Sequence, residues 1–357
     1  MRVWLIIFIV LIFACKPEAE KSEIRFIDPV FEDGPIKDFV NIKNVTVLDL
    51  PDSIDLGAIK QIEFYDSLVY LLEDGIYSSI LVFDQKGKVE RQLLRLGNGP
   101  GEYINIDFFI LNDSYLAIYD RQQMKFVKYS LSHFEKFESY KTENYFVGGV
   151  SLPNNTFFLV SDTDIEEGYQ LGYIFTDSDF SNIKTFPQPT GTIEGFLPQS
   201  ISNFISQHHI IQAFSDNLFQ ITSDSLSLVT YVDFGKKSLP KEVSSFNQAY
   251  ELYDVLSSGS YYFAPTNLLV RDSVISFNFF NETIDNQNFG LIQNGNAYRF
   301  SIDSDLKELF LKPITVREDL YHTVLLPGEY DEEVIDILNL TEVDYEKPIL
   351  VSYTIGQ

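Results

Sequence analysis

The chain has 357 residues, with 26 Lys plus Arg against 52 Asp plus Glu, a formal net charge of -26. That excess of acid excludes nucleic acid as an expected partner and any electrostatic grip on anionic lipid, because both need a positive surface. The only cysteine is Cys15, so a chain cleaved ahead of it keeps no second thiol for a disulfide, a thiolate metal site or a Cys nucleophile. There are 31 Phe and 21 Tyr but a single Trp, Trp4, so stacking on a sugar would fall to Tyr or Phe.

The first element is a signal. Arg2 precedes eleven apolar residues, Val3 to Phe13, too short a run to span a bilayer, which takes about 20. Ile12-Phe13-Ala14-Cys15 is similar to a bacterial lipobox, so residues 1–15 are expected to be a lipoprotein signal peptide and Cys15 the lipidated residue. Residues 16–41, mixed and charged with Pro17, Pro29 and Pro35, read as a tether. Residues 42–357 then form one domain.

From there, short runs of Val, Ile, Phe, Tyr and Leu recur roughly every 8–12 residues between Asp, Ser, Asn and Gly, the pattern of an all-β chain of short antiparallel strands. The segment 59–97 holds two runs around Asp66-Ser67, a third at Ile80-Leu81-Val82-Phe83 and a fourth after a Gln-Lys-Gly turn. The order repeats from 107, with Asp113-Ser114 at the first turn, and Asp272-Ser273 again separates two apolar runs. Asp and Ser suit such places because their side chains bond nearby backbone groups. Four strands per unit predicts propeller blades, and about 310 residues accommodate six. The expected fold is a six-bladed β-propeller, closed by pairing the final run, PILVSYTIG, with 40–50 near the start.

Two stretches break the rhythm. Phe246, Tyr250, Tyr253 and Leu256 lie at helical spacing within 241–258, and acids followed by Val334, Ile335 and Leu338 predict a short helix in 331–343.

Candidate sites are few. GNGPGEY, 97–103, lacks the Lys of a phosphate-binding Walker loop and the G-x-G-x-x-G spacing of a dinucleotide fold. Pro100-Gly101 suits the centre of a type II turn, with Gly taking φ > 0. Glu102 is read as an acceptor for backbone N–H groups rather than a general acid, since no second carboxylate stands at a fixed offset. Gly97, Gly99, Pro100, Gly101, Glu102 and Tyr103 are therefore a structural turn motif, and the echo Pro327-Gly328-Glu329-Tyr330 a coincidence of turn chemistry. His208 and His209, adjacent on a strand, would face opposite sides, and His133 and His322 are remote in sequence. The acidic runs at 162–167 and 331–333 lack EF-hand spacing; Ca²⁺ is the ion they would hold if they held one. No G-x-S-x-G elbow occurs.

Four features together resemble the exported six-bladed propellers, related to the NHL type, of Bacteroidetes: the lipobox-like start, Gly97-x-Gly99-Pro100-Gly101-Glu102-Tyr103, Ala117-Ile118-Tyr119-Asp120 and Pro348-Ile349-Leu350-Val351. Lys347 departs from that pattern, which tends to have Asn before the proline. The resemblance implies an architecture and an address, an outer-membrane lipoprotein facing the periplasm or the surface. The expected function is binding or scaffolding, with a protein, glycan or peptide ligand and no chemistry of its own. The alternative is a metal-dependent hydrolase or lyase with its site at the central channel.

Overall fold

In the computed structural model, residues 24–165, 168–186, 205–206, 208–211, 217–246, 248–271, 274–329, 332–339 and 346–356 are described. The apolar runs form six blades around an axis, a six-bladed β-propeller. Blade one comprises 59–65, 68–73, 79–83 and 89–93; blade two 108–111, 115–120, 125–130 and 137–141; blade three 145–152, 156–165, 168–176 and 182–186. Blade four holds 205–206, 209–211, 217–221 and 226–233, and blade five 262–271, 274–281, 283–293 and 296–301. Blade six takes 315–317, 320–325 and 349–355 from the end of the chain and 40–47 from its start.

Position in the blade explains the composition of each strand. Ser79–Phe83 is buried throughout because both faces of its sheet are covered by neighbouring blades, whereas the outermost Phe137–Lys141 is mostly exposed and reads FESYK. The first strands line the axis, each packed on the next all the way round the ring.

The ring is shut where the sequence predicts. Val45 lies opposite Val351 and Val47 opposite Ile349, and Ile349, Val351 and Tyr353 are fully buried. Lys347 bridges back to Asp49 at 2.7 Å, and this hydrogen bond and charge hold the Asp49 carboxyl below its usual range.

The stretch expected as a tether is in part built into the ring. Ile24–Arg25 adds a parallel fifth strand to blade four, and Val30–Glu32 does the same for blade five. Between them Phe26 is fully buried, with ring centroids 5.2 Å from Phe277, 5.3 Å from Phe279 and 5.9 Å from Phe234. Pro and charge suggest a linker, yet Phe26 gives this segment enough apolar surface to dock, and sheet edges supply its backbone partners.

The three helices differ from expectation in detail. Ala249–Leu256 (α1) buries Leu252 and Leu256 against Phe263 and Ala264, while Tyr250 and Tyr253 point outward. Asp305–Leu311 (α2) was not anticipated, although Ser304 caps it by accepting from the Lys307 N–H, a signal the sequence carries. Glu332–Leu338 (α3) has its acids in the first turn as predicted and buries Val334 and Leu338; Asp331 lies outside the described residues.

Blades six and one share a buried histidine. The Nδ1 of His322 lies 3.0 Å from Ser352 Oγ, its ring is 4.5 Å from Phe64, and its Nε2 has no partner within hydrogen-bonding distance. Burial pushes its pKa from 6.5 down to about 4. The unfolded chain therefore takes up this proton first, so the associated stability is complete above pH 6.5 and lost as pH falls toward 4. The full effect is about 3 kcal/mol. His322→Gln is expected to flatten the pH dependence of urea unfolding in that window; an unchanged slope would mean that His322 is solvated.

Candidate functional site

An up-and-down meander that starts at the axis sorts its connections by end. Turns between first and second strands, and between third and fourth, gather at one mouth of the ring; the remaining turns and the blade-to-blade connectors gather at the other. The first mouth carries short turns such as 66–67, 112–114 and 318–319. The second carries 94–107, 234–261 with α1, 302–314 with α2 and 326–348 with α3. Every α-helix of the described residues thus belongs to the connector mouth, and the candidate site is there.

GNGPGEY is the joint between blades one and two on this mouth. The Glu102 carboxylate accepts from the Gly99 N–H at 2.8 Å, and the Glu102 N–H donates to the Gly99 carbonyl at 3.1 Å. Blade two holds the loop by its carbonyls: Gln123 donates to Gly97 O, Lys125 to Gly99 O and Tyr129 to Gly101 O, all at 2.9–3.0 Å. Tyr103, fully buried, donates to Leu93 O at 3.0 Å, and burial pushes its phenol pKa up.

The type II turn expected at Pro100-Gly101 does not form, because Gly101 keeps a φ outside the positive range. Its glycine is required for space: a Cβ would stand 2.7 Å from the Phe137 ring. Gly101→Val should therefore cost about 1–3 kcal/mol by overpacking. Phe137→Ala should relieve it, and a cost that survives that second change would reinstate a backbone origin.

The echo holds the turn that the first copy lacks. Gly328 has φ 92, and the Glu329 N–H donates to Leu326 O at 3.0 Å. Glu329 Oε2 accepts from the Leu326 N–H at 2.7 Å, as Glu102 does from Gly99. Both Pro-Gly-Glu stretches close on themselves by this reciprocal pair; Tyr330 lies outside the described residues.

Around the joint, side chains reach outward. Glu73, almost wholly buried, accepts from the N–H groups of Gly75, Ile76 and Tyr77 and so fixes a loop that exposes Ile76 and Tyr77. Ser78 Oγ accepts from the Ile106 N–H at 2.8 Å, tying this loop to the joint. Asp120 accepts from the Ile104 N–H at 2.7 Å and leaves Ile104 exposed, and the next residue, Arg121, places its guanidinium 5.0 Å from the exposed Tyr145 ring of blade three. The result is a rim of aromatic, aliphatic and cationic groups across three blades.

The sequence reading missed two carboxyls near the axis. Asp107 precedes the first strand of blade two, accepts from the Arg121 N–H at 2.8 Å, and has its pKa raised by burial, with Lys60 opposing. Glu63, on the first strand of blade one, receives Gln61 Nε2 at 3.2 Å and is raised by burial also. Gln61 itself bonds both the N–H and the carbonyl of Phe109. The available signal was the polar pair at i and i+2, Gln61 and Glu63, inside an apolar run.

The other candidates do not converge. His208 lies in a turn with Nε2 3.2 Å from Ser151 O, His209 is on the following strand, His133 is in the turn 131–136, and His322 is in the core. The acidic run at 162–167 falls on a long hairpin of blade three, whose residues 166–167 lie outside the described set, as do Cys15 and residues 1–15. Among the described residues no three of His, Cys, Asp or Glu come together where a metal ion could be held, and no helix is long and apolar enough to cross a membrane.

Ring, closing strand and one elaborated mouth define a six-bladed propeller. Its sequence matches the model of a domain of unknown function (DUF4934) over residues 44–348, and the chain belongs to that family. A solved structure of a protein classed as exported, from Bacteroides fragilis, is similar at a TM-score of 0.73 and 16% identity, covering 93% of this chain and 100% of that one. Glutaminyl cyclase of Myxococcus xanthus is similar at a TM-score of 0.35 and 10% identity, covering 76% and 100%. The first likeness supports the fold; the second carries no argument. No curated protein matches the chain.

Proposed function

We propose that this is an NHL-like propeller lipoprotein of a Bacteroidetes envelope, anchored through lipid on Cys15, that binds a protein, glycan or peptide at its connector mouth. The observation that carries the reading is the segregation of every described α-helix to one mouth, with Ile76, Tyr77, Ile104 and Tyr145 exposed along its rim and the half-buried Arg121 beside Tyr145. Aromatic faces with a few fixed polar groups suit a ligand that is partly apolar and partly hydrogen-bonding. The exported relative from Bacteroides fragilis supports the compartment.

Two measurements test it. Cys15→Ser should move the protein from the membrane to the soluble fraction; unchanged retention would sink the anchor. Against a panel of envelope oligosaccharides and secreted peptides, Tyr77→Ala and Arg121→Ala should each weaken binding about tenfold, equivalent to 1.4 kcal/mol. Lys136→Ala, on the turn mouth, should leave it unchanged. The opposite pattern of losses would place the site elsewhere.

A further inference from the structure

We propose that the strap formed by residues 24–32 is a bilayer-contacting edge, so that the ring rests against the lipid surface on the side of blades four and five. The proposal rests on the lipid anchor at Cys15 and adds to it which part of the ring meets the membrane.

Chain length gives the first argument. Nine Cα-to-Cα steps separate Cys15 from Ile24, where the strap joins blade four, and a fully extended chain of that length spans at most about 30 Å. The anchor can therefore reach the bilayer only if Ile24 lies within about 30 Å of it. Blade one is diametrically opposite, so contact through the strap leaves it away from the bilayer.

The chemistry of the strap gives the second. Ile27, Val30 and Phe31 are 40%, 52% and 47% exposed, three large apolar side chains within five residues. Strand pairing alone asks for no such side chains on the outer side of an edge, where charge normally blunts further association. Arg299 lies 4.3 Å from the Phe31 ring, and Arg25 opens the strap, in a chain whose acids outnumber its bases two to one. Apolar and aromatic side chains flanked by Arg suit the boundary between acyl chains and headgroups. Asp28 and Glu32 balance the two arginines, so the contact depends on apolar burial beside a covalent anchor. Held edge-on in this way, the ring keeps its connector mouth clear of the bilayer.

The test uses the absence of Trp from a chain cleaved ahead of Cys15. Lipidated full-length Phe31→Trp and, as a control where the outermost strand of blade one runs into its joint, Leu94→Trp are reconstituted into phosphatidylethanolamine and phosphatidylglycerol vesicles containing lipids brominated high on the acyl chain. Circular dichroism confirms that both exposed-site variants fold. The expected result is flotation of both proteins with vesicles, with strong quenching of the indole introduced at 31 and little at 94. Flotation with neither indole quenched, or both quenched alike, overturns the contact while leaving the anchor standing. A concentration-dependent blue shift at 31 without quenching assigns the strap to a second copy of this chain and also overturns it. Failure to float removes the anchor and the proposal together.

Discussion

Phe26→Ala is expected to destabilise the protein by about 3–5 kcal/mol, the range for removing a fully buried Phe. The side chain sits among Phe234, Tyr262, Phe277 and Phe279, all within 6.3 Å between ring centroids, so little of the cavity could be refilled without moving a neighbour. It also sits between two parallel strand additions, and its own N–H donates to Asp233 O at 2.9 Å. Loss of the ring would loosen the strap on blades four and five together. The measurement is urea unfolding of wild type and variant, with proteolysis near residue 24 as a second readout. A loss below about 1 kcal/mol, well under the range for a buried Phe, would show the strap undocked in solution.

Glu73→Ala should cost about 2–4 kcal/mol, because three backbone donors lose one charged acceptor. The full sum of three bonds is not expected, since Ile76 and Tyr77 are exposed and water can replace part of what is lost. Oε1 accepts from Gly75 and Ile76, and Oε2 from Tyr77 at 3.0 Å. Glu73→Gln keeps one oxygen and should lose about half as much. Thermal and urea unfolding of the pair check the ranking; equal losses would mean that charge, and not acceptor count, organises the loop. The same loop presents Tyr77 at the connector mouth, so Glu73→Ala should weaken ligand binding even where the protein remains folded.

Much of the architecture was legible because it is written in local chemistry. The alternation of apolar runs with turn residues marks strands, and their grouping in fours marks blades. In blade two the turn side chain is Asn112, whose Oδ1 accepts from Ser114 and Tyr115, one position before the Asp113-Ser114 pair that the repeat suggested. In blade one the third-to-fourth turn is closed by Asp84, which accepts from Lys86 and Lys88. Such substitutions are invisible to a pattern because Asn, Asp and Ser are interchangeable in turns, and backbone geometry alone selects the residue that bonds. The outward-facing tyrosines of α1 misled for a related reason. Tyr250 and Tyr253 satisfy helical spacing as well as Leu252 and Leu256 do, and only the position of blade five decides which stripe is covered.

The sequence by itself determined the class of fold, the strand that closes the ring and the residues of the joint, since each depends on neighbours in the chain or on periodicity. Tertiary structure alone decided the docking of the 24–32 strap and the gathering of connectors at one mouth. It alone decided also that Gly101 is glycine because the Phe137 ring lies where a Cβ would be. These are contacts between segments far apart in sequence, where volume and unpaired edges select the partner and no local pattern records the choice.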